Sequence, residues 1–449
     1  MNTQDTLANI SRLTAFWYWL KLGFISFGGP AGQIAMMHQE LVEKRRWISE
    51  RRFLHALNYT MVLPGPEAQQ LATYMGWLMH GTLGGIVAGT LFVLPSLLIL
   101  IALTWAYLSF GHLDSVAGIL YGIKPAVVAI VLFAAYRIGM KTLRHGLLMT
   151  IALAAFVGLF IFHISFPYII IAAAVIGWVG HLFIPDAFKA SGGHGVSGEQ
   201  HGTALIDDDT PPPSWAAFSW ASSLLKLAAG LMLWLLVEGA LYLSFGWQGP
   251  LTQMGWFFTK AALVTFGGAY AVLPYVYQGG VDEYQWLSAT QMMDGLALGE
   301  TTPGPLIMIV AFIGFVGGWT KELFGPEAQF LAGAAGASIA TLFTFLPSFI
   351  FILIGGPLVE HTRNDMKLSA PLTAITAAVV GVIVNLATFF AWHVFWPQGT
   401  EAAPFAGSLD ITAIVIALIA FLALSRFNQS VMRVIGASAI AGFVIQAVL

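Results

Sequence analysis

Two lysines occupy positions where lysine is costly. Lys21 and Lys260 each lie inside apolar sequence, about ten residues from the start of a helix or roughly 15 Å of rise, where an ammonium must be paired or face water. Each is followed by Phe-Gly-Gly (Phe27-Gly28-Gly29 and Phe266-Gly267-Gly268), then by Pro-Gly-Pro (Pro64-Gly65-Pro66 and Pro303-Gly304-Pro305). Such sequences break a helix, and the helix that restarts presents unpaired N–H groups at the positive end of its dipole. A cation beside such helix starts is suited to binding an anion. Three carboxylates lie near the breaks: Glu67 just after the first Pro-Gly-Pro, and Asp294 and Glu300 just before the second. They suit proton coupling or salt bridges to the lysines, and equally a structural role facing water.

Each feature also has a plainer reading. Glycines allow tight helix packing, prolines kink structural helices, and lysines snorkel to an interface. Recurrence argues for function. Adding 239 carries Trp17 to Trp256, Lys21 to Lys260, Trp47 to Trp286, Ser49 to Ser288, and both glycine-rich motifs onto their copies. The comparison gives thirteen identities over fifty ungapped positions, where composition alone gives roughly three. A second block, offset by 252, pairs Leu94-Pro95-Ser96 with Leu346-Pro347-Ser348 and Ala126-Val127-Val128 with Ala378-Val379-Val380. The change of offset places an insertion around Trp319 to Gln329.

The elements that must hold these residues are helices in a bilayer. The 449 residues are 58% hydrophobic and 9% charged, against about 25% charged in soluble domains. Apolar runs long enough to cross about 30 Å of hydrocarbon recur throughout, and the ten-residue alternation of a barrel does not. The fold class is therefore an all-α polytopic membrane protein. Cysteine is absent, which excludes thiolate chemistry, Fe–S clusters and cysteine zinc sites. His38, His55, His80 and His163 have no ligand spacing, so neither a metal nor a cofactor is expected. No cleaved signal peptide is evident at Met1 to Ser11.

Four regions follow in order: an N-terminal repeat at 1–183, a flexible polar linker at 184–215, a joining transmembrane helix at 216–245, and a C-terminal repeat at 246–449. The linker, with His194, His201, Asp207-Asp208-Asp209 and Pro211-Pro212-Pro213, is too polar to bury itself and reads as solvated rather than metal-binding. Loop charge orients the halves. The basic loop 43–52 corresponds to 282–286, which lacks Lys and Arg; the basic loop 137–145 corresponds to 389–409, also without either; the nearly neutral loop 110–124 corresponds to one with Arg363 and Lys367. All three pairs reverse, so the repeats are inverted and the unpaired helix at 216–245 supplies the extra crossing. Parity further requires residues 53–80 to enter and return as a broken-helix hairpin. The Gly-Gly-Pro stretch is left open between re-entrant and spanning.

The chain resembles the chromate ion transporter family, in its two-domain, long-chain form. The resemblance is carried by Phe27-Gly28-Gly29-Pro30, the basic loop ending in Trp47, the run from Pro64 to Ala72, and their degenerate copies at Phe266-Gly267-Gly268 and Thr302 to Pro305. It covers nearly all of the chain apart from the linker. In the second copy Ala269 replaces Pro30 and Leu306 replaces Glu67. The resemblance implies efflux of chromate across a bacterial cytoplasmic (inner) membrane, with sulfate as a structural look-alike and no enzyme activity. The expected substrate-binding residues are Lys21, Gly28, Gly29, Pro64, Gly65, Pro66, Lys260, Gly267, Gly268, Pro303, Gly304 and Pro305. Glu67, Asp294 and Glu300 are the candidates for proton coupling. The partners are chromate, sulfate and the lipid bilayer, with a homodimer open and no nucleic acid. A sulfate or organic-anion transporter is the same-class alternative. An intramembrane enzyme is the different-class one, weakened by the absence of a Gly-x-Ser-x-Gly elbow, and no Walker A motif makes the chain an ATPase.

Overall fold

The computed structural model describes residues 10–27, 29–111, 113–188, 204–208, 210–211, 213–266, 268–361, 369–399, 403 and 405–448. Gly28, Gly267, His194, His201, Asp209 and Pro212 lie outside these, as do Arg363 and Lys367. The described residues are overwhelmingly helical and form no β-sheet. Six helices among them are long and apolar enough to cross a membrane.

The first half runs α1 (Arg12–Ile25), α2 (Gly29–His38), α3 (Glu50–Val62), α4 (Glu67–Phe110), α5 (Asp114–Thr142), α6 (Gly146–Phe160) and α7 (Phe166–Phe183). After the joining helix α8 (Trp220–Phe245) the order repeats: α9 (Pro250–Val264), α10 (Ala269–Tyr277), α11 (Ala289–Thr301), α12 (Ile309–Thr320), α13 (Gln329–His361), α14 (Ser369–Phe395), α15 (Ile411–Ser425) and α16 (Val431–Val448). Only one correspondence is uneven: α4 is matched by α12 and α13 together. Within α4 the backbone leaves helical geometry at His80 and Gly81, with Gly81 at φ 68°. The second half breaks outright there, between Thr320 and Gln329, where the extra residues fall.

The two parts of α4 fold back on each other. A Cβ on Gly76 would strike the Gly84 carbonyl and Ala88, and one on Gly314 would strike the Gly336 carbonyl and Ala340. Small residues let two backbones approach this closely in both halves. The segments flanking the Pro-Gly-Pro motifs are short. Glu50–Val62 and Ala289–Thr301 have 13 residues each, which is about 20 Å of rise and less than the thickness of the hydrocarbon. Each is broken from the next helix at a largely buried loop, Leu63 to Pro66 and Thr302 to Pro305.

The corners repeat in detail. Gln39–Lys44 and Gln278–Glu283 are both single wide π turns. Trp47 donates its N–H to the Leu41 carbonyl at 2.8 Å, and Trp286 donates to Gly280 at 2.8 Å. Arg46 and Gln285 both sit at φ 50°. Ser49 and Ser288 then cap α3 and α11, each accepting from the backbone N–H three residues on.

The stretch expected to run loose from 184 to 215 is docked in its C-terminal portion. Ile206 bridges to Ile48 in parallel, and its side chain is buried. A polar segment need not bury a core of its own when it borrows backbone partners from an existing corner.

Candidate functional site

The Pro-Gly-Pro motifs meet the opposite half at the breaks. In the first, Leu63 to Pro66 is non-helical and Gly65 sits at φ 123°; in the second, Gly304 sits at φ 104°. Only glycine adopts these values without strain. The Gly65 N–H donates to the Thr265 carbonyl at 2.7 Å, and the Gly304 N–H donates to the Ser26 carbonyl at 2.9 Å. Ser26 and Thr265 are themselves equivalent, each ending the helix that carries the lysine. Close approach is reciprocal as well. A Cβ on Gly65 would collide with Ser348, and one on Gly304 with Ser96, the serines of the two Leu-Pro-Ser motifs.

Two glutamines hold the loops. Gln33 Nε2 donates to the carbonyls of Gly304 (2.6 Å) and Ser26 (3.1 Å). Gln70 Nε2 donates to the Pro64 carbonyl at 2.7 Å and to Ser348 Oγ at 3.2 Å. Around these clamps lie buried polar atoms with no hydrogen-bond partner among the described residues: Ser26 Oγ, Ser96 Oγ, and Oε1 of Gln33, Gln69 and Gln70. Burying such atoms unmet is costly. Hydroxyls can donate to an oxyanion, whereas the NH2 groups of Gln33 and Gln70 are committed to the loop carbonyls. The backbone supplies more donors. Glu67 begins α4 directly after Pro66, and α2 and α10 start at Gly29 (φ 70°) and just after Gly268 (φ 95°).

Lys21 is exposed, on the face of α1 that also shows Leu13, Trp17 and Phe24. Lys260 is half-buried, its ammonium 5.9 Å from the centre of the Trp256 ring. Glu67 is half-buried, and no hydrogen bond or ion pair reaches its carboxylate among the described residues. Glu300 accepts from Tyr270 Oη. Asp294 is buried, accepts from Tyr107 Oη at 2.9 Å and lies 4.0 Å from Lys124 Nζ. That trio, with Gln291, lines a cavity of about 360 Å³.

By the offsets of 239 and 252, Thr290, Gln291 and Asp294 correspond to Arg51, Arg52 and His55, and Leu108 corresponds to Glu360. Arg51, Arg52, His55 and Glu360 line a second, smaller space of about 50 Å³, together with Asp208. There Arg52 Nη1 lies 3.7 Å from Glu360 Oε2, Tyr74 Oη donates to Glu360 at 2.6 Å, and His55 Nε2 is 3.3 Å from the Val359 carbonyl. The two spaces are equivalent under the repeat and differ in chemistry, one lined by Arg51, Arg52 and His55 with two carboxylates and the other built on Asp294 and Lys124.

Sequence reasoning did not single out Tyr107, Lys124, Gln33, Gln70 or Tyr270. Lys124 could have been found, because it interrupts the apolar run 117–139 as Lys21 interrupts its own. The glutamines left no such trace, since their counterparts are Val272 and Ile309. Of the histidines, His38 lies between Glu43 (3.1 Å) and Glu50 (2.6 Å), and His80 meets the Ile10 carbonyl at 2.9 Å. No cluster of three or more potential metal ligands occurs among the described residues.

Comparison with known proteins agrees with this duplicated architecture. The chain is 29% identical over 432 residues to a chromate transport protein of Cupriavidus metallidurans, covering 95% of this chain and 91% of that one. It is 32% identical over 365 residues to a chromate transport protein of Pseudomonas aeruginosa, covering 81% and 77%. A probable chromate transport protein of Synechococcus elongatus is 30% identical over 368 residues, covering 82% and 81%. No solved structure matches. The family described as chromate transporter matches residues 13–178 and 252–443, one block in each half. The chain, a multi-pass helical membrane protein, belongs to the chromate transporter family.

Proposed function

We propose that this protein exports chromate from the bacterial cytoplasm across the inner membrane and so confers chromate resistance. The observation that carries the reading is the reciprocal clamp at the two breaks, Gly65 to Thr265 and Gly304 to Ser26, beside the buried Ser26 and Ser96 hydroxyls that lack partners among the described residues. Non-helical backbone at membrane depth is tolerated where it is packed in protein or lines a path. In the inverted reading, residues 1–183 and 246–449 are antiparallel repeats joined by α8, and the site lies on their shared pseudo-axis. The anion is held by N–H groups and hydroxyls from both halves. Lys21 and Lys260 add positive potential at the ends of α1 and α9. Glu67, Asp294 and Glu300 are the groups that would carry protons if transport exchanges them. The relatives named for chromate transport, similar over most of their length, support the choice of substrate.

Energetics favour export. Moving a dianion out of a cell that is negative inside gains about 2 × 2.3 kcal/mol per 100 mV, so membrane potential alone can drive it. Labelled chromate uptake into everted membrane vesicles tests the reading. Potential-dependent uptake above that of empty vesicles is expected, with sulfate competing and nitrate not. Uptake of sulfate without chromate would reassign the substrate.

A further inference from the structure

In the transport reading these two spaces are mouths of the path, a basic mouth at Arg51 and Arg52 and a carboxylate mouth at Asp294, equivalent by descent but not equally open. On the side of the carboxylate mouth, the Trp286 carbonyl accepts from Thr320 Oγ1 at 3.3 Å, a residue of the transport core. At the basic mouth, the Trp47 carbonyl accepts instead from Ile206 of the linker at 2.9 Å. The Leu205 N–H donates to Arg46 and the Ser49 N–H donates to Ile206, at 2.9 and 3.0 Å. Ile206 is buried against this corner. The linker then turns into the mouth itself. Asp208 accepts from Ser49 Oγ at 2.6 Å, and Arg52 donates to the Thr210 carbonyl. The space left is about 50 Å³, against about 360 Å³ at the equivalent mouth.

Charge shows what Asp208 displaces. The groups facing this space are Arg51, Arg52, His55, Glu360 and Asp208. With Asp208 in place, two guanidinium groups face two carboxylates, and the mouth is neutral when His55 is neutral. Without it, one positive charge is in excess. That charge lies beside the N-terminus of α3, where Ser49 Oγ is free to donate once Asp208 leaves. Paired guanidinium groups with hydroxyl and N–H donors suit a tetrahedral oxyanion.

We infer that Arg51, Arg52 and His55 form an entry subsite for the dianionic oxyanion, and that linker residues 204–208 and Thr210 cover it, with the Asp208 carboxylate standing in for the substrate. The inference rests on the transport reading above. A cover that must open reduces apparent affinity by the fraction of time it is open. Weakening the cover therefore tightens apparent binding, and fixing it shut stops entry.

The test uses the full-length protein, purified for chromate titration and reconstituted for flux. Asp208→Asn should lower the apparent Kd for chromate by about three- to tenfold, and adding Arg51→Ala should remove that gain. The chain has no native cysteine, so Ile48→Cys with Ile206→Cys gives one defined disulfide. Oxidising this pair should block flux, and a thiol reductant should restore it. If Asp208→Asn binds and transports like the parent, and the oxidised pair transports at the parent rate, the covered subsite is wrong. If the parent neither binds nor moves chromate, the substrate reading falls instead. The same variants titrated with sulfate and molybdate then decide the subsite.

Discussion

The N–H of Gly65 reaches the carbonyl of Thr265, in the other half of the chain, at 2.7 Å. Its counterpart, Gly304 to Ser26, is the same bond displaced by 239 residues at both ends. Each break is thus finished by the half it does not belong to, so the proposed anion site is a property of the pair.

Replacing either glycine should stop transport. Gly65→Ala places a side chain at φ 123° and drives its Cβ into Ser348 and Gln70; Gly304→Ala at φ 104° meets Ser96. Backbone strain of this kind costs about 1–3 kcal/mol. Flux normalised to inserted protein is expected to be lost while insertion remains near the parent level. Parent flux in both variants would reduce the motifs to kinks.

Arg46 and Gln285 give a matched topology test, since both are exposed and share φ 50°. Single cysteines at these positions should react with an impermeant thiol reagent from opposite faces, Arg46→Cys from the cytoplasm. Labelling of both from one face would rule out the inverted arrangement.

The membrane lysines should separate according to where they sit. Lys124→Met leaves the buried Asp294 without its nearby cation and should lower chromate flux about tenfold or more, since 1.4 kcal/mol is a factor of ten. Lys260→Met should weaken binding, with Lys260→Arg retaining part because the charge stays. Lys21 is exposed beside Leu13 and Trp17, so Lys21→Met should cost least, within about threefold in apparent affinity, well under the tenfold step. Equal, severe losses at Lys21 and Lys260 would place both in one central cavity.

The driving force can be isolated in proteoliposomes. With a potassium diffusion potential of 100 mV, two charges are worth about 4.6 kcal/mol. Chromate should therefore move when concentrated buffer holds the pH equal on both sides. Complete loss of flux under equal pH, restored by an imposed pH gradient, would make proton exchange obligatory and direct attention to Asp294→Asn, Glu300→Gln and Glu67→Gln.

Most of the architecture was legible because duplication writes it twice. Trp47 and Trp286, Ser49 and Ser288, and the two Pro-Gly-Pro motifs keep their identities because each member of a pair does the same thing locally, whether closing a wide turn, capping a helix, or breaking one at positive φ. What belongs to one half alone stayed hidden. Gln33 clamps Gly304 across 271 residues of sequence, and no local pattern encodes such a partner. Lys124 and Tyr107 converge on Asp294 only after α4, α5 and α11 pack together. The docked linker was hidden for another reason. Its composition describes what it can bury alone, whereas Ile206 folds onto a corner already made.

α8 shows what little this fold asks of one of its crossings. Only 6% of its most apolar window lies inside the protein, and Leu224, Leu225, Leu235, Leu236 and Leu243 point outward. In the inverted arrangement α8 serves to change the parity of the chain, which any greasy helix of its length can do. Evolutionary drift should therefore run freely along its outward side, provided that apolar character is kept. Drift should be slow at the few points where it touches the core: Gly230 against Ile350, Trp234 bonded to Thr259, and Glu238 against Gly255.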